Sequence, residues 1–169
     1  GAATTQTGWE VYPEALEHTV RLAAEHAGVP VLVTENGMAT DDDARRIGFI
    51  DQALAGLHGC IADGIDVRGY WYWSFIDNFE WVFGFAIRFG LVAVDRSTQT
   101  RHVKPSAHHY GAIARANALP DNAQAGRLTG DFIDMTPELQ YNPPATEPGT
   151  VFTHVRIFDG SGSAPFAGE

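Results

Sequence analysis

A short apolar run between two helical segments most strongly limits the folds that this chain can adopt. Residues 29–33 read Val-Pro-Val-Leu-Val and are followed at once by Thr34, Glu35, Asn36 and Gly37. A run that is apolar at successive positions predicts a parallel strand covered on both faces. Asn-Gly is a strong turn signal, so we expect the strand to end there, with Glu35 at its carboxyl end. An ordinary exposed loop glutamate is the other interpretation of this position.

Helical patterns lie on both sides of this run, and a third follows later in the chain. The first begins near Pro13 and ends at Gly28, the second follows the aspartates at 41–43 and ends before Gly64, and the third begins at 104–106. An aromatic strand and a loop separate the second and third helices. The order helix, strand, helix, strand, loop, helix predicts βαβ units in a parallel sheet with right-handed crossovers.

The second predicted strand and the loop after it are rich in aromatic residues. Ten of the nineteen Phe, Trp and Tyr residues lie between Tyr70 and Phe89, and acidic groups stand among them. Aromatic rings cover the C–H faces of a sugar while carboxylates and indole N–H groups bond its hydroxyls, which indicates a carbohydrate site. An aromatic core strand is the alternative. Glu80, between Phe79 and Trp81, favours the site because a buried charge is costly without a partner or ligand.

Two motifs in these segments resemble those of glycoside hydrolase family 1, the β-glucosidase and β-galactosidase group. One is T-E-N-G at 34–37, and the other is W-S-x-x-D-N-F-E-W at 73–81, followed by R-F-G-L-V-A-V-D at 88–95. The resemblance runs from about Gly8 to Leu119. It implies an α/β fold, namely the C-terminal portion of a (β/α)8 TIM barrel with about the last two strands and their helices.

The resemblance also implies roles for four residues in a retaining β-glycosidase. Glu35 would be the catalytic nucleophile. Glu80 and Trp81 would hydrogen-bond the hydroxyls of the sugar that is cleaved, and Trp73 would form a wall of its pocket. Such enzymes use two carboxyl groups about 5 to 5.5 Å apart, one as nucleophile and one as acid/base. The implied partner is a β-linked glycoside or oligosaccharide, and no cofactor or metal is expected.

The chain departs from the family pattern in one catalytic element. In the family the proton donor lies in an N-E-P motif, and no N-E-P occurs among the 169 residues. We therefore expect a truncated or split enzyme that is inactive alone and needs the missing N-terminal part of the barrel. The alternative function is a non-catalytic carbohydrate-binding or scaffold fragment.

The character of the sequence changes after Leu119. We expect residues 1–119 to form the barrel part, 120–150 to be a poorly ordered linker, and 151–169 to contain a short strand and turn of unknown role. Residues 155–160 read V-R-I-F-D-G and faintly resemble the opening strand of the amidohydrolase superfamily. A fusion to the start of an amidohydrolase is thus a further alternative, although the metal-binding H-x-H of that family is absent.

Charge and composition exclude several partners. The formal net charge of -10 argues against nucleic acid and anionic membranes, and no apolar run approaches 18 residues. Cys60 is the one cysteine, so no internal disulfide can form, and its place beside an apolar helical stripe predicts burial. The pair His108 and His109 is expected on a helix surface rather than in a metal site.

Overall fold

The computed structural model describes residues 3–120, which form three helices and four short strands. In chain order these are α1 (Ala15–Ala27), β1 (Val31–Asn36), α2 (Asp43–Ala62), β2 (Val67–Tyr72), a 3-10 turn (Trp81–Phe83), β3 (Val92–Val94), β4 (Arg101–Val103) and α3 (Pro105–Ala116). The expected linker and final strand lie outside the described residues.

The three helices begin and end where the sequence signals predict. Helix α1 stops at Gly28, whose φ of 62° is left-handed and suits a residue without Cβ. Helix α2 is capped by Asp42, whose carboxylate accepts from the backbone N–H groups of Ala44 and Arg45. Helix α3 begins with Pro105, which lacks the N–H that a first helical turn leaves unpaired.

Strands β1 and β2 are adjacent and parallel, as predicted, and α2 connects them. Strand β1 begins at Val31 rather than at residue 29, with the Val31 N–H donating to Asp66 O at 2.8 Å. The preceding Pro30 has no N–H to give to a ladder. Helices α1 and α2 pack on one face of the pair, around a buried cluster of Val20, Val33, Leu57 and Cys60.

The prediction that β1 is covered on both faces is wrong for the part of the chain that the structure describes. Val33, on the helix side, is 6% exposed, whereas Leu32 is 54% exposed and Trp71 of β2 is 48% exposed. The cause is that α1 and α2 lie on the same side of the two strands. On the other face the Trp71 ring and the Leu32 side chain lie beside Gly69, where an added Cβ would be 2.6 Å from the ring and 3.1 Å from Leu32 Cδ2.

A small hairpin occupies the region that the sequence predicted as a loop. Strands β3 and β4 pair antiparallel, with Val92 opposite Val103, and an isolated parallel bridge joins Ile76 to Val92. Each strand has three residues, which is too short for an alternating pattern to be recognised. Hydrogen bonds from the Ser97 hydroxyl and N–H, and from Thr98, lower the pKa of Asp95 in the hairpin turn to about 2.

Helix α3 packs against α2 and β2 and completes the described core. Its Tyr110 and Ile113 pack against a buried cluster that includes Ile50 and Tyr72. Cys60 is fully buried, as predicted. Between the helices, His109 Nε2 lies 2.6 Å from Asp51 Oδ1, so the expected surface position holds for exposed His108 but not for half-buried His109. Within residues 3–120 no helix has the length and apolar character needed to cross a membrane.

Candidate active site

The two sequence motifs meet at the carboxyl ends of β1 and β2. Glu35 is the penultimate residue of β1, and Trp73 directly follows Tyr72, the last residue of β2. The Trp73 N–H donates to Asn36 O at 2.9 Å, so backbone pairing continues beyond the end of β2. Carboxyl ends of parallel strands are where β/α barrels build their active sites.

Gly37 allows this close approach of the two motifs. A Cβ built at Gly37 would lie 1.7 Å from the carbonyl oxygen of Trp73, a distance that no side chain tolerates. The Trp73–Ser74 peptide that follows this carbonyl is cis. The glycine of T-E-N-G is therefore required by packing against the second motif.

An irregularity in the strand pairing separates Glu35 from the core face. Val33 pairs with Tyr70 and Asn36 with Tyr72, so three steps along β1 match two steps along β2. Strict alternation would place Glu35 on the face of buried Val33, against the helices. An extra residue shifts the alternation, as in a β-bulge, and the Glu35 side chain is exposed instead.

The tyrosines of β2 anchor the turn that follows Glu35. The Tyr70 hydroxyl donates to Asn36 Oδ1 at 3.0 Å, and the Met38 N–H donates to the Tyr72 hydroxyl at 3.4 Å. Burial raises the pKa of both Tyr70 and Tyr72, which keeps the hydroxyls neutral. The core-strand interpretation thus holds for these two rings, while Trp71 and Trp73 are exposed.

The segment 78–89, here called the aromatic loop, carries most of the other exposed rings. The rings of Phe79 and Phe85 meet edge to face at 5.3 Å between centroids. The guanidinium of Arg96 lies 4.2 Å from the centroid of Phe85 and also donates to the carbonyl of Asp77. The exposed rings of the loop are Phe79, Trp81, Phe83 and Phe85.

Glu80 lies in this loop with a buried side chain. It is 9% exposed, and its Oε1 has no hydrogen-bond partner within residues 3–120. Its backbone N–H donates to Gly84 O at 2.7 Å. The amide oxygen of Asn78 is likewise buried without a partner among these residues. Two buried acceptors without donors are unusual in a folded protein, and each has the capacity to accept a hydrogen bond.

Trp81 is held in an uncommon backbone conformation. Its φ is 46°, in the left-handed region that bulky residues rarely adopt, and its side chain is 83% exposed. The Gly84 N–H donates to Trp81 O at 3.1 Å, which closes the tight turn. Strained residues of this kind cluster at functional sites.

Buried cations behind the loops were missed by sequence reasoning. The Arg46 side chain is 1% exposed, and its Nη2 donates to Thr40 O at 2.5 Å and to Arg88 O at 2.9 Å. It thereby ties the segment after β1 to the end of the aromatic loop. Lys104 makes a similar link to Asp77. An Arg in a helix and a Lys before Pro105 give no local signal of such long-range bonds.

The described part of the chain contains no group of three His, Cys, Asp or Glu residues placed to hold a metal ion. The strand ends instead combine an exposed carboxylate, an unpartnered buried carboxylate oxygen and a group of exposed aromatic rings. A βαβ unit with such residues at the carboxyl ends of its strands is typical of β/α-barrel proteins, which build their active sites there.

Comparison with known proteins gives the particular family. Residues 2–119 match the family model described as glycosyl hydrolase family 1, and the chain belongs to this family. The family and its solved members have a TIM-barrel fold, in agreement with the α/β class expected from the sequence.

Characterised relatives are β-glycosidases by name. The chain is 39% identical over 121 residues to a beta-galactosidase of Sulfolobus acidocaldarius, covering 72% of this chain and 25% of that protein. It is 38% identical over 127 residues to beta-glucosidase A of Thermotoga maritima, covering 69% of this chain and 28% of that protein.

Solved structures that resemble this chain are also β-glycosidases by name. The structure of beta-glucosidase 1317 is 56% identical, with a TM-score of 0.68, and the match covers 72% of this chain and 30% of that one. The beta-glycosidase from Pyrococcus horikoshii is 48% identical, with a TM-score of 0.69, over 73% of this chain and 29% of that one. The chain thus spans 25% to 30% of the length of these four proteins.

Proposed function

We propose that residues 1–119 are the C-terminal portion of the (β/α)8 barrel of a retaining β-glycosidase, with Glu35 as its nucleophile. One observation carries this proposal: β1 and β2 are adjacent and parallel, and their ends bring T-E-N-G against W-S-x-x-D-N-F-E-W. The chain matches between 25% and 30% of the length of each relative, and this share is consistent with about two of the eight strands of a barrel.

The chemistry proposed for Glu35 requires an accessible carboxylate. A retaining glycosidase attacks the anomeric carbon with one carboxylate and forms a covalent glycosyl-enzyme intermediate, which water then hydrolyses. Glu35 is exposed at a strand end, and the irregular pairing at residues 34–35 keeps it off the helix-covered face. A carboxylate on a strand is also held more rigidly than one on a loop.

The aromatic loop would recognise the sugar. The unpartnered Oε1 of Glu80 can accept a hydrogen bond from a sugar hydroxyl. The indole N–H of exposed Trp81 can donate to a neighbouring hydroxyl, and Trp73 can provide an apolar wall for the C–H face of the ring. Contacts to hydroxyls strengthen as the ring distorts toward the transition state, so they contribute to rate as well as to affinity.

The proton donor must come from residues outside this sequence. No N-E-P segment is present, and the other described glutamates lie in α1 or its approach rather than in such a motif. We therefore propose that the chain alone is inactive and acts on a β-linked glycoside or oligosaccharide only together with the remaining barrel strands. The identity of the sugar depends partly on those strands.

Hydrolysis of an aryl β-glucoside tests this proposal. The chain alone should give only background turnover. A fusion that places the first six barrel strands of Thermotoga maritima beta-glucosidase A ahead of residue 3 should be active. In that fusion, Glu35→Gln should lower kcat by several orders of magnitude. Glu25→Gln, an exposed change in α1, is the matched control and should leave kcat unchanged.

Two outcomes would contradict the proposal. Substantial turnover by the chain alone, abolished by Glu35→Gln, would show that the donor lies within these residues. Full activity of the fusion carrying Glu35→Gln would remove Glu35 from the nucleophile role.

A non-catalytic sugar-binding function is the second candidate, favoured by the buried, unpartnered Glu80 oxygen in a sequence without N-E-P. It predicts that the chain alone binds methyl β-glucopyranoside, detectable by tryptophan fluorescence. Binding should weaken in Glu80→Gln and be unaffected by Glu35→Gln.

A further inference from the structure

We propose that Lys104 is a positioning residue that closes the neck of the aromatic loop and thereby holds Glu80 and Trp81 in place. The neck is the point where the two residues that flank the loop, Asp77 and Gly90, lie against each other. This inference rests on the proposed sugar-binding role of that loop.

The two sides of the neck are in direct contact. The Gly90 N–H donates to Asp77 Oδ1 at 2.8 Å, and the Asp77 N–H donates to Val92 O at 2.9 Å. A Cβ built at Gly90 would lie 2.2 Å from the backbone nitrogen of Asp77, so only glycine permits this approach. The loop therefore leaves and re-enters the core at one place.

The Lys104 ammonium bridges both sides. Its Nζ lies 3.0 Å from each carboxylate oxygen of Asp77 and 2.7 Å from Gly90 O. These three acceptors match the three protons of an ammonium group. Its own backbone N–H donates to Leu91 O at 3.0 Å. The side chains of Lys104 and Asp77 are only 14% and 11% exposed, so the pair is shielded from water.

Residues 85–89 of the loop are anchored further, for example by hydrogen bonds from Arg46 and the Thr40 N–H to Arg88 O. Residues 78–84, the part of the loop that carries Glu80 and Trp81, make no hydrogen bond to the described chain outside the loop. Within it, the Glu80 N–H pairs with Gly84 O and the Gly84 N–H with Trp81 O, both inside the same turn. The Trp81 ring is exposed, and the Glu80 carboxylate has an oxygen without a partner in the described chain, so neither side chain fastens the loop strongly. Glu80 is only three residues from Asp77. The orientation of Glu80 therefore depends strongly on how firmly Asp77 is fixed.

The first test uses the fact that Lys104 is the only lysine in the sequence. Lysine-selective ¹⁵N labelling of the 169-residue chain gives one side-chain signal to interpret. We call the bridge from Lys104 to Asp77 and Gly90 the clamp. If it forms in solution, the Lys104 ammonium resonance should be visible at neutral pH, because proton exchange with water is slow. A resonance broadened away by fast exchange, as for a solvated lysine, would overturn the proposal.

The second test compares amide hydrogen exchange in variants of the full chain. Lys104→Met keeps the length of the side chain but removes the charge. It should accelerate exchange at Glu80 and Gly84 by at least about tenfold, while amides of the β1–β2 ladder change by less than about twofold. Lys104→Arg retains a cation that can reach the same acceptors and should restore slow exchange in part. Asp77→Asn should resemble Lys104→Met, because it also removes the ion pair.

Other patterns of exchange would refute the clamp. Uniform acceleration over the loop and the ladder would make Lys104 an ordinary stabilising residue. Unchanged exchange at Glu80 and Gly84 in Lys104→Met would show that the loop does not depend on it.

Binding of methyl β-glucopyranoside separates the clamp from the proposed function. Loop-specific acceleration with at least about tenfold weaker binding in Lys104→Met supports both. Loop-specific acceleration with unchanged affinity overturns the positioning role, while sugar binding stands. If the unaltered chain shows the slow lysine resonance but binds no sugar, the clamp stands and the sugar-binding role of the loop fails.

Discussion

Two glycines set the geometry of the site, because each lies where one backbone meets another. At Gly37 an added Cβ would lie 1.7 Å from Trp73 O, and at Gly90 it would lie 2.2 Å from Asp77 N. The first glycine joins the segment of Glu35 to the segment of Trp73. The second joins the two ends of the aromatic loop. Neither effect depends on a positive φ, so the requirement for glycine here comes from packing.

Gly37→Ala is therefore expected to destabilise the described domain by about 3 kcal/mol or more, since backbone would have to move to admit the methyl group. Gly59→Ala is the matched control. Gly59 lies inside α2, and the nearest atom to an added Cβ is Arg21 Nη2 at 3.7 Å, which is ordinary contact. That change should stabilise by about 0.5 to 1 kcal/mol. Urea unfolding of both variants measures the difference, and equal stabilities would contradict the packing argument.

Asp95 is the residue whose titration is most clearly altered by local hydrogen bonds. The Ser97 hydroxyl and N–H, followed by Thr98, hold its pKa at about 2, below the ordinary 3.8. Because the pKa is lowered in the folded state, the stabilisation that these hydrogen bonds give to the hairpin turn is fully present above pH 3.8. It is lost as the pH falls through 2 and the carboxylate is protonated.

Ser97→Ala should raise the pKa of Asp95 toward its ordinary value, because it removes the largest of these interactions. Thr98→Val should raise it less. The ¹³C chemical shift of the Asp95 carboxyl, followed by NMR from pH 6 downward, gives the midpoint directly. An unchanged midpoint in Ser97→Ala would show that the hydroxyl is not bonded to the carboxylate in solution.

At the scale of elements, helices could be predicted from the sequence because their ends carry local signals. Asp42, Pro105 and Gly28 each act within one or two residues of a helix end. Strand β1 could be predicted from its apolar run. The three-residue strands of the hairpin could not, because their pairing depends on residues distant in sequence. The irregular pairing beside Glu35 also has no local signal, since it arises from the register of two strands.

The candidate site also has some features with local sequence signals and others that depend on distant residues. Its residues Glu35, Trp73, Glu80 and Trp81 follow from motifs that resemble a known family. The residues that fix them, Arg46 and Lys104, contact backbone that lies 42 and 14 positions away along the chain. A single sequence gives no sign of such contacts. It also could not separate the core-packed Tyr70 and Tyr72 from the exposed Trp71 and Trp73, because the two interpretations hold for alternate residues.

The cap of α2 gives a prediction at this scale. Asp42→Ala removes the side-chain acceptor for the N–H groups of Ala44 and Arg45, and should cost about 1 kcal/mol of folding free energy. Asp42→Ser keeps an acceptor at the same position and should restore most of the loss. Thermal and urea unfolding of the two variants measure this. A serine variant as unstable as the alanine variant would show that the charge, rather than the cap geometry, is what matters.

At the scale of the whole molecule, one face of the β1–β2 pair is the unusual surface. Within residues 3–120, helices cover only the other face, and Leu32 and Trp71 remain about half exposed. Both strands also have one edge without a strand partner in this region. Exposed apolar faces and free strand edges favour association with other strands. In the proposed barrel, the remaining strands would pair with these edges, and this face would line the barrel interior.

Leu32 lies on the exposed face of the strand pair and Val33 on the helix-covered face, so substitutions at these two residues test the difference in burial between the faces. Leu32→Thr replaces a half-exposed side chain and should change the free energy of unfolding by less than about 1 kcal/mol. Val33→Thr places a hydroxyl in the helix-packed core at a residue that is 6% exposed, and should cost about 2 kcal/mol. Sedimentation of the 169-residue chain should show less self-association for Leu32→Thr, because the exposed face becomes more polar. Val33→Thr should not reduce self-association. If Leu32→Thr costs as much as Val33→Thr, the face that carries Leu32 is covered in solution. Deletion of residues 121–169 then shows whether the cover belongs to the same chain or to a second copy.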